Sequence, residues 1–198
     1  MQASSVNPMD AFVAGGFLKG MAEYEFPVVP GAVAGDRGAG LLDDAGVVAA
    51  EDEVYGFIPG VDRTVPAGSW AELIAVPQNR MVARRPAGVD ARQAGAAPVA
   101  ALTAVAAGDA MGLGQGATVL VVGASGGVGS FAVQLAARAG AAVVAPALPE
   151  DGDYLRGLGV AEVVDRDGDV VAAVRGRHPG GVDALLDLVS QAPDALNC

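Results

Sequence analysis

The chain has 198 residues, 52% hydrophobic and 18% charged, with 23 acidic against 12 basic residues and a net charge of −11. That composition excludes disorder, which needs low hydrophobicity with dense charge, and a nucleic-acid partner, whose phosphates are held by an excess of Lys and Arg. The single cysteine, Cys198, excludes an internal disulfide and a multi-cysteine zinc site.

In chain order, Met1-Gln2-Ala3-Ser4-Ser5 has no basic segment running into an apolar one, so no secretory signal is read there and a cytoplasmic location is expected. Short apolar runs at 26–29, 46–50, 54–58, 72–76 and 82–86 are separated by Gly, Pro and Asp, the pattern of short strands joined by turns. The acids among them solvate loops. From Asp90 the texture becomes Ala-rich, which predicts helices over 91–97 and 99–111. Asp90 is placed to cap the first, and Gly112 to Gly116 to end the second. The most apolar stretch, 94–107, is short for a bilayer span and holds Gly95 and Pro98, so no membrane span is expected.

From residue 118 strands and helices alternate: strand 118–122, helix 126–138, strand 142–145, helix 151–158, strand 161–165, helix 169–175 and strand 182–188. Such alternation specifies right-handed crossovers and a parallel sheet. In the first of these helices, Val128, Phe131, Ala132, Leu135 and Ala136 form an apolar stripe at helical spacing. Gly140 stands where a left-handed residue stops the helix.

Chemistry concentrates in Val121-Val122-Gly123-Ala124-Ser125-Gly126-Gly127-Val128-Gly129, at the end of a buried strand and the start of a helix. On the G-x-G-x-x-G template Ala124 takes the first position, allowing the tight turn. Gly126, without a Cβ, lets a pyrophosphate approach the backbone, and Gly129 lets the helix lie close on the sheet. The helix N-terminus offers unpaired N–H groups and partial positive charge to phosphates. The bland reading is a glycine-rich turn without a ligand. No G-K-[ST] follows, so this is not a Walker A loop.

An acid that would read the ribose of NAD is absent at Ala145-Pro146-Ala147, which points to NADPH, with NADH kept open. Arg166 is the nearby basic residue for a 2′-phosphate, or else an ordinary exposed arginine. The single histidine, His178, precedes Pro179-Gly180-Gly181 and is expected to be exposed and structural. One histidine and one cysteine supply neither a catalytic zinc site nor a Ser-His-Asp triad, which leaves the chemistry to a nicotinamide.

Seven segments, in order, resemble the zinc-independent quinone oxidoreductase (zeta-crystallin-like) branch of the medium-chain dehydrogenase/reductase superfamily. Ser5-Val6-Asn7-Pro8-Met9-Asp10 is similar to SVNPxD, Phe26-Pro27-Val28-Val29-Pro30-Gly31 to FPxxPG, and Asp52-Glu53-Val54-Tyr55-Gly56 to GDEVYG. Gly68-Ser69-Trp70-Ala71-Glu72 is similar to GGxAE, and Ala96 to Ala104 to AALPxAxLTA. Val122 to Gly129 resembles GAAGGVG, and Gly181 to Val189 resembles GVDxVLDxV. The resemblance implies an α/β chain. A β-rich GroES-like substrate domain, 1–97, lacks its first strands, and a partial Rossmann domain with a doubly wound parallel sheet, 98–198, lacks its last strands. NADPH would lie in the cleft between them.

The resemblance further implies hydride transfer to a quinone or an enone without a metal. By carry-over, Gly123, Ala124, Ser125, Gly126, Gly127, Val128 and Gly129 would hold the pyrophosphate. Thr103 and Val189 would adjoin the cofactor, and Asn7, Asp10 and Tyr55 would line the substrate cleft. For Asn7-Pro8 turn and helix-cap chemistry is the alternative, and for Tyr55 a packing role. Phe12 stands where some relatives carry a tyrosine, and Pro30 to Gly38 departs from PGxDVAG. A homodimer or other oligomer is expected. Two other functions stay open: a trans-acting enoyl reductase of polyketide or fatty-acyl assembly, and a non-catalytic nucleotide-binding or regulatory subunit.

Overall fold

Two kinds of sheet divide the chain, an antiparallel one before residue 90 and a parallel one after residue 117. The computed structural model describes residues 1–16, 33–37, 48–49, 52–57, 68–74, 76 and 82–189. Within it the chain forms two compact units, Met1–Val99 and Ala100–Cys198. The expected strand at 26–29 and most of that at 46–50 lie outside the described residues.

In the first unit, helix α1 (Pro8–Ala14) starts at a proline, whose missing N–H is no loss in a first turn. Strands β1 (Val33–Arg37), β2 (Glu53–Phe57) and β3 (Val82–Arg84) form an antiparallel sheet with β2 in the middle. β1 was not foreseen. The strand expected at 72–76 does not form where that segment is described: Ala71 and Glu72 bend, and Leu73 is exposed. The Glu72 carbonyl accepts from the Met1 amino group at 2.6 Å instead of entering a ladder.

Helix α2 (Ala91–Met111) is one continuous helix with Pro98 inside, not the two expected. Proline removes one intrahelical bond, and the alanines on both sides favour helix strongly enough to continue past it. At its start Asp90 Oδ1 accepts the Gln93 N–H at 2.8 Å, and Gln93 Oε1 accepts the Asp90 N–H at 3.0 Å. This is a capping box. With 21 residues, α2 is long and apolar enough to cross a bilayer by length and composition alone. Ala94, Ala100 and Ala104 on it are nevertheless buried in the fold.

The second unit follows the predicted rhythm: β4 (Thr118–Val122), α3 (Gly127–Arg138), β5 (Ala142–Ala147), α4 (Gly152–Leu158), β6 (Glu162–Asp165), α5 (Val170–Arg177) and β7 (Ala184–Asp187). A short 3-10 turn, Pro149–Asp151, leads into α4. All neighbouring strands are parallel, in the order β6-β5-β4-β7. Counted along the chain that is 3-2-1-4, the first part of a doubly wound sheet. Its two faces are both covered. Val119, Val121, Val133, Val143 and Leu155 pack on one, and Leu120, Val144, Val164 and Val174 on the other. The centres of β4 and β5, Val119 to Val121 and Val143 to Ala145, are buried, which explains why they are aliphatic throughout.

The face of α3 that meets the sheet differs from the stripe read at helical spacing. Gly129, Ala132, Val133 and Ala136 are buried, whereas Leu135 is exposed and Val128 and Phe131 are half-buried. The apolar residues of α3 fill two adjoining stripes. The one with the smaller side chains lies against β4 and β5.

Candidate functional site

The crossing from β4 to α3 is built by three glycines with different duties. Gly123 has φ +83°, a conformation that a Cβ disfavours. The left-handed residue of the turn is therefore Gly123, and Ala124, the small residue that follows it, is buried in the core. A Cβ on Gly129 would fall 2.1 Å from the Gly123 carbonyl oxygen and 2.7 Å from the Ala124 Cα. Only a glycine there allows the first turn of α3 to lie on the strand end. Gly126 is the extended residue before the helix, with φ −76° and ψ 175°. It is exposed, and its N–H donates to the Gly123 carbonyl at 3.1 Å.

The first N–H groups of an α-helix lack intrahelical partners. Here Ser125, Gly126 and Gly127 at that end are exposed, and Val128 is half-buried. Backbone donors, helix polarity and the missing Cβ of Gly126 make a cradle that fits a pyrophosphate. From α2, the Ala100 methyl lies 3.9 Å from where a Gly127 Cβ would be. Thr103, one helical turn further along α2, is exposed.

On the other flank, Val189 closes over Gly123. Its Cγ2 would stand 2.6 Å from a Cβ at that glycine, yet the residue is 71% exposed. Its position is set by Asp187, whose Oδ1 accepts the Val189 N–H at 2.9 Å, and by the Leu188 N–H, which donates to the Val122 carbonyl at 3.2 Å. The crevice between β4 and β7 is where the strand order reverses, the place where open parallel sheets bind ligands. The role of Asp187 was missed from the sequence. An Asp two residues before an exposed strand exit is the available signal.

Arg166 follows β6, and its N–H donates to the Ala147 carbonyl at 3.2 Å, so the residue sits beside the tip of β5. Its side chain is 56% exposed and its Nε stands 3.7 Å from Asp167 Oδ1. Thus the 123–129 loop and Val189 share one end of the second unit's fold, with Ala100 of α2 against Gly127. Arg166 lies two strands along the same sheet edge.

Asn7, Asp10 and Tyr55 belong to the first unit. Asp10 is 4% exposed, and its Oδ2 accepts the Asn7 N–H at 2.7 Å, the hydrogen bond that caps α1. Asn7 Nδ2 donates to Ser5 Oγ at 3.0 Å. Tyr55 is half-buried in the central strand, opposite Gly35 and Ala83. His178 is not the exposed loop residue expected. It caps the C-terminus of α5, with Nε2 3.1 Å from Glu162 Oε1 and a side chain 20% exposed. Among the described residues no group of three or more His, Cys, Asp or Glu is arranged to hold a metal.

Residues 127–198 match the family model described as zinc-binding dehydrogenase. The chain is 33% identical, over 98% of its own length and 59% of the relative's, to the chloroplast envelope quinone oxidoreductase homolog of Arabidopsis thaliana. It is 36% identical, over 90% of its length, to 7% of the spectinabilin polyketide synthase system protein NorB of Streptomyces orinoci. The solved quinone oxidoreductase of Coxiella burnetii superposes with a TM-score of 0.80 at 26% identity, covering 98% of this chain and 61% of that one. The chain thus spans under two thirds of the Arabidopsis and Coxiella proteins.

Proposed function

Because the chain belongs to the medium-chain dehydrogenase/reductase superfamily, as a homologue of its quinone oxidoreductases, we propose that the protein is an NADPH-dependent oxidoreductase. It reduces a small quinone or enone without a metal. The observation that carries this reading is the glycine turn, in which Gly129 is required by the fold while Gly126 leaves open the place a phosphate would take. Bound there, NADPH supplies a hydride for an electron-poor acceptor. The backbone of residues 123–129 holds the pyrophosphate, Gly126 admits it, and the N-terminus of α3 offsets its charge. Val189, fixed by Asp187, limits the mouth of the site on the β7 side, and Thr103 limits it on the α2 side. Arg166 meets the 2′-phosphate.

In this assignment residues 1–97 are the substrate domain and 98–198 the cofactor domain. Asn7 and Tyr55 contribute on the substrate side, while the Asp10 carboxylate orients Asn7 through the cap of α1. The metal-free reading rests on donor chemistry: His178, the single histidine of this chain, is engaged with Glu162. A cytoplasmic homodimer or larger oligomer accompanies the reading.

The likeness to part of a polyketide synthase system protein favours a second reading, an enoyl reductase acting on carrier-bound acyl chains. Titrating NADPH and NADH by fluorescence tests the shared premise, with binding expected below about 1 mM. Binding of neither nucleotide would remove the enzymatic reading and leave a non-catalytic subunit. Turnover of free quinones or enones supports the first reading. Turnover confined to an enoyl group on an acyl carrier supports the second.

A further inference from the structure

At the adenosine end of the cofactor site proposed above, on which this inference rests, Arg166 stands between two acids of the chain, Asp165 and Asp167. β5 ends at Ala147, which pairs with Asp165 of β6, so a carboxylate stands one strand over from the tip where a ribose-reading acid is usual. Arg166 is tied to Ala147 by its own N–H, and its guanidinium stands 3.7 Å from Asp167 Oδ1. The Asp167 N–H in turn donates to Asp165 Oδ1 at 3.0 Å, which holds the two acids in one tight turn around Arg166. Glu150 and Asp151 lie in the 3-10 turn just after β5. Arg156, on α4, is paired with Asp153 at 3.0 Å.

We infer that Asp167 restrains Arg166 and so weakens the preference of this protein for NADPH over NADH. A 2′-phosphate brings a charge of about −2. To reach the Arg166 guanidinium it must compete with the Asp167 carboxylate and lie close to Asp165. A 2′-hydroxyl carries no charge and meets no such opposition, and it can donate to a carboxylate. The usual preference given by an arginine at this edge is therefore reduced by its own neighbour. The competing pair is solvent-exposed, and exposed pairs of this kind change an equilibrium by up to about fivefold.

The test is a pair of fluorescence titrations, NADPH and NADH, on the wild-type chain, Asp167→Asn and Arg166→Gln, with thermal melts confirming that each variant folds. Asp167→Asn is expected to shift the ratio of the two dissociation constants toward NADPH about three- to fivefold, and Arg166→Gln to shift it toward NADH. An Asp167→Asn ratio equal to wild type overturns this inference while leaving the cofactor reading intact. Failure of the wild type to bind either nucleotide overturns the cofactor reading itself, and this inference with it.

Discussion

Gly126 and Gly129 stand three residues apart in one turn, and the structure separates their roles. A Cβ at Gly129 meets backbone at 2.1 Å and 2.7 Å, atoms that cannot move without displacing the strand end. Gly129→Ala is expected to lower the unfolding free energy by about 2 kcal/mol or more, read by chemical denaturation. At Gly126 the backbone is extended and a Cβ meets only the Gly123 carbonyl oxygen, at 3.2 Å. Gly126→Val is expected to leave the melting temperature near wild type and abolish nucleotide binding in the same titration. Unchanged affinity would place the phosphates elsewhere. The packing role of Gly129 was legible in the sequence, because the motif is local. Gly123 was assigned less than its share. Its left-handed backbone is a property of the folded turn, and the template counts from the residue after it.

Among the elements, the strands and helices from residue 118 and the cap at Asp90 formed close to where expected. Asp90→Ala removes an acceptor from the Gln93 N–H and should destabilise the chain by about 1 kcal/mol, measured as a shift in denaturation midpoint at unchanged slope. In the antiparallel sheet, Asp52 precedes β2 and stands 2.8 Å from the Arg84 guanidinium on β3. The Ala49 N–H, donating at 2.7 Å, chiefly holds its carboxyl below the ordinary value of 3.8, against a desolvation penalty and with help from Arg84. A lowered folded value means that ionised Asp52 favours the fold. This contribution is complete above pH 3.8 and is lost as the pH falls through the lowered value. In an acid titration of stability, Asp52→Asn should show a shallower loss below pH 3.8 than wild type, and equal slopes would refute the linkage. Elements that depend on partners were less legible. Residues 72–76 carry a strand-like run, but the carbonyl of Glu72 bonds to the N-terminus. On α3 two apolar stripes adjoin, and only contact with the sheet shows that Val133 is inside and Leu135 outside.

At the scale of the whole molecule, the alternation of strands and helices from residue 118, the glycine turn and the seven ordered family segments were all determined by the sequence alone. Hydrophobic period, caps and turn residues act between neighbours a few positions apart, so they can be read along the chain. Only the tertiary structure decided the strand order β6-β5-β4-β7 and the pairing of Ala147 with Asp165. It also placed Arg166 at the end of β5, Val189 against Gly123, and His178 on Glu162. Each of these joins residues more than ten positions apart, and their meeting depends on which parallel strands lie side by side. Long-range pairing of that kind follows from the packing of helices on both faces of the sheet, which no local pattern specifies.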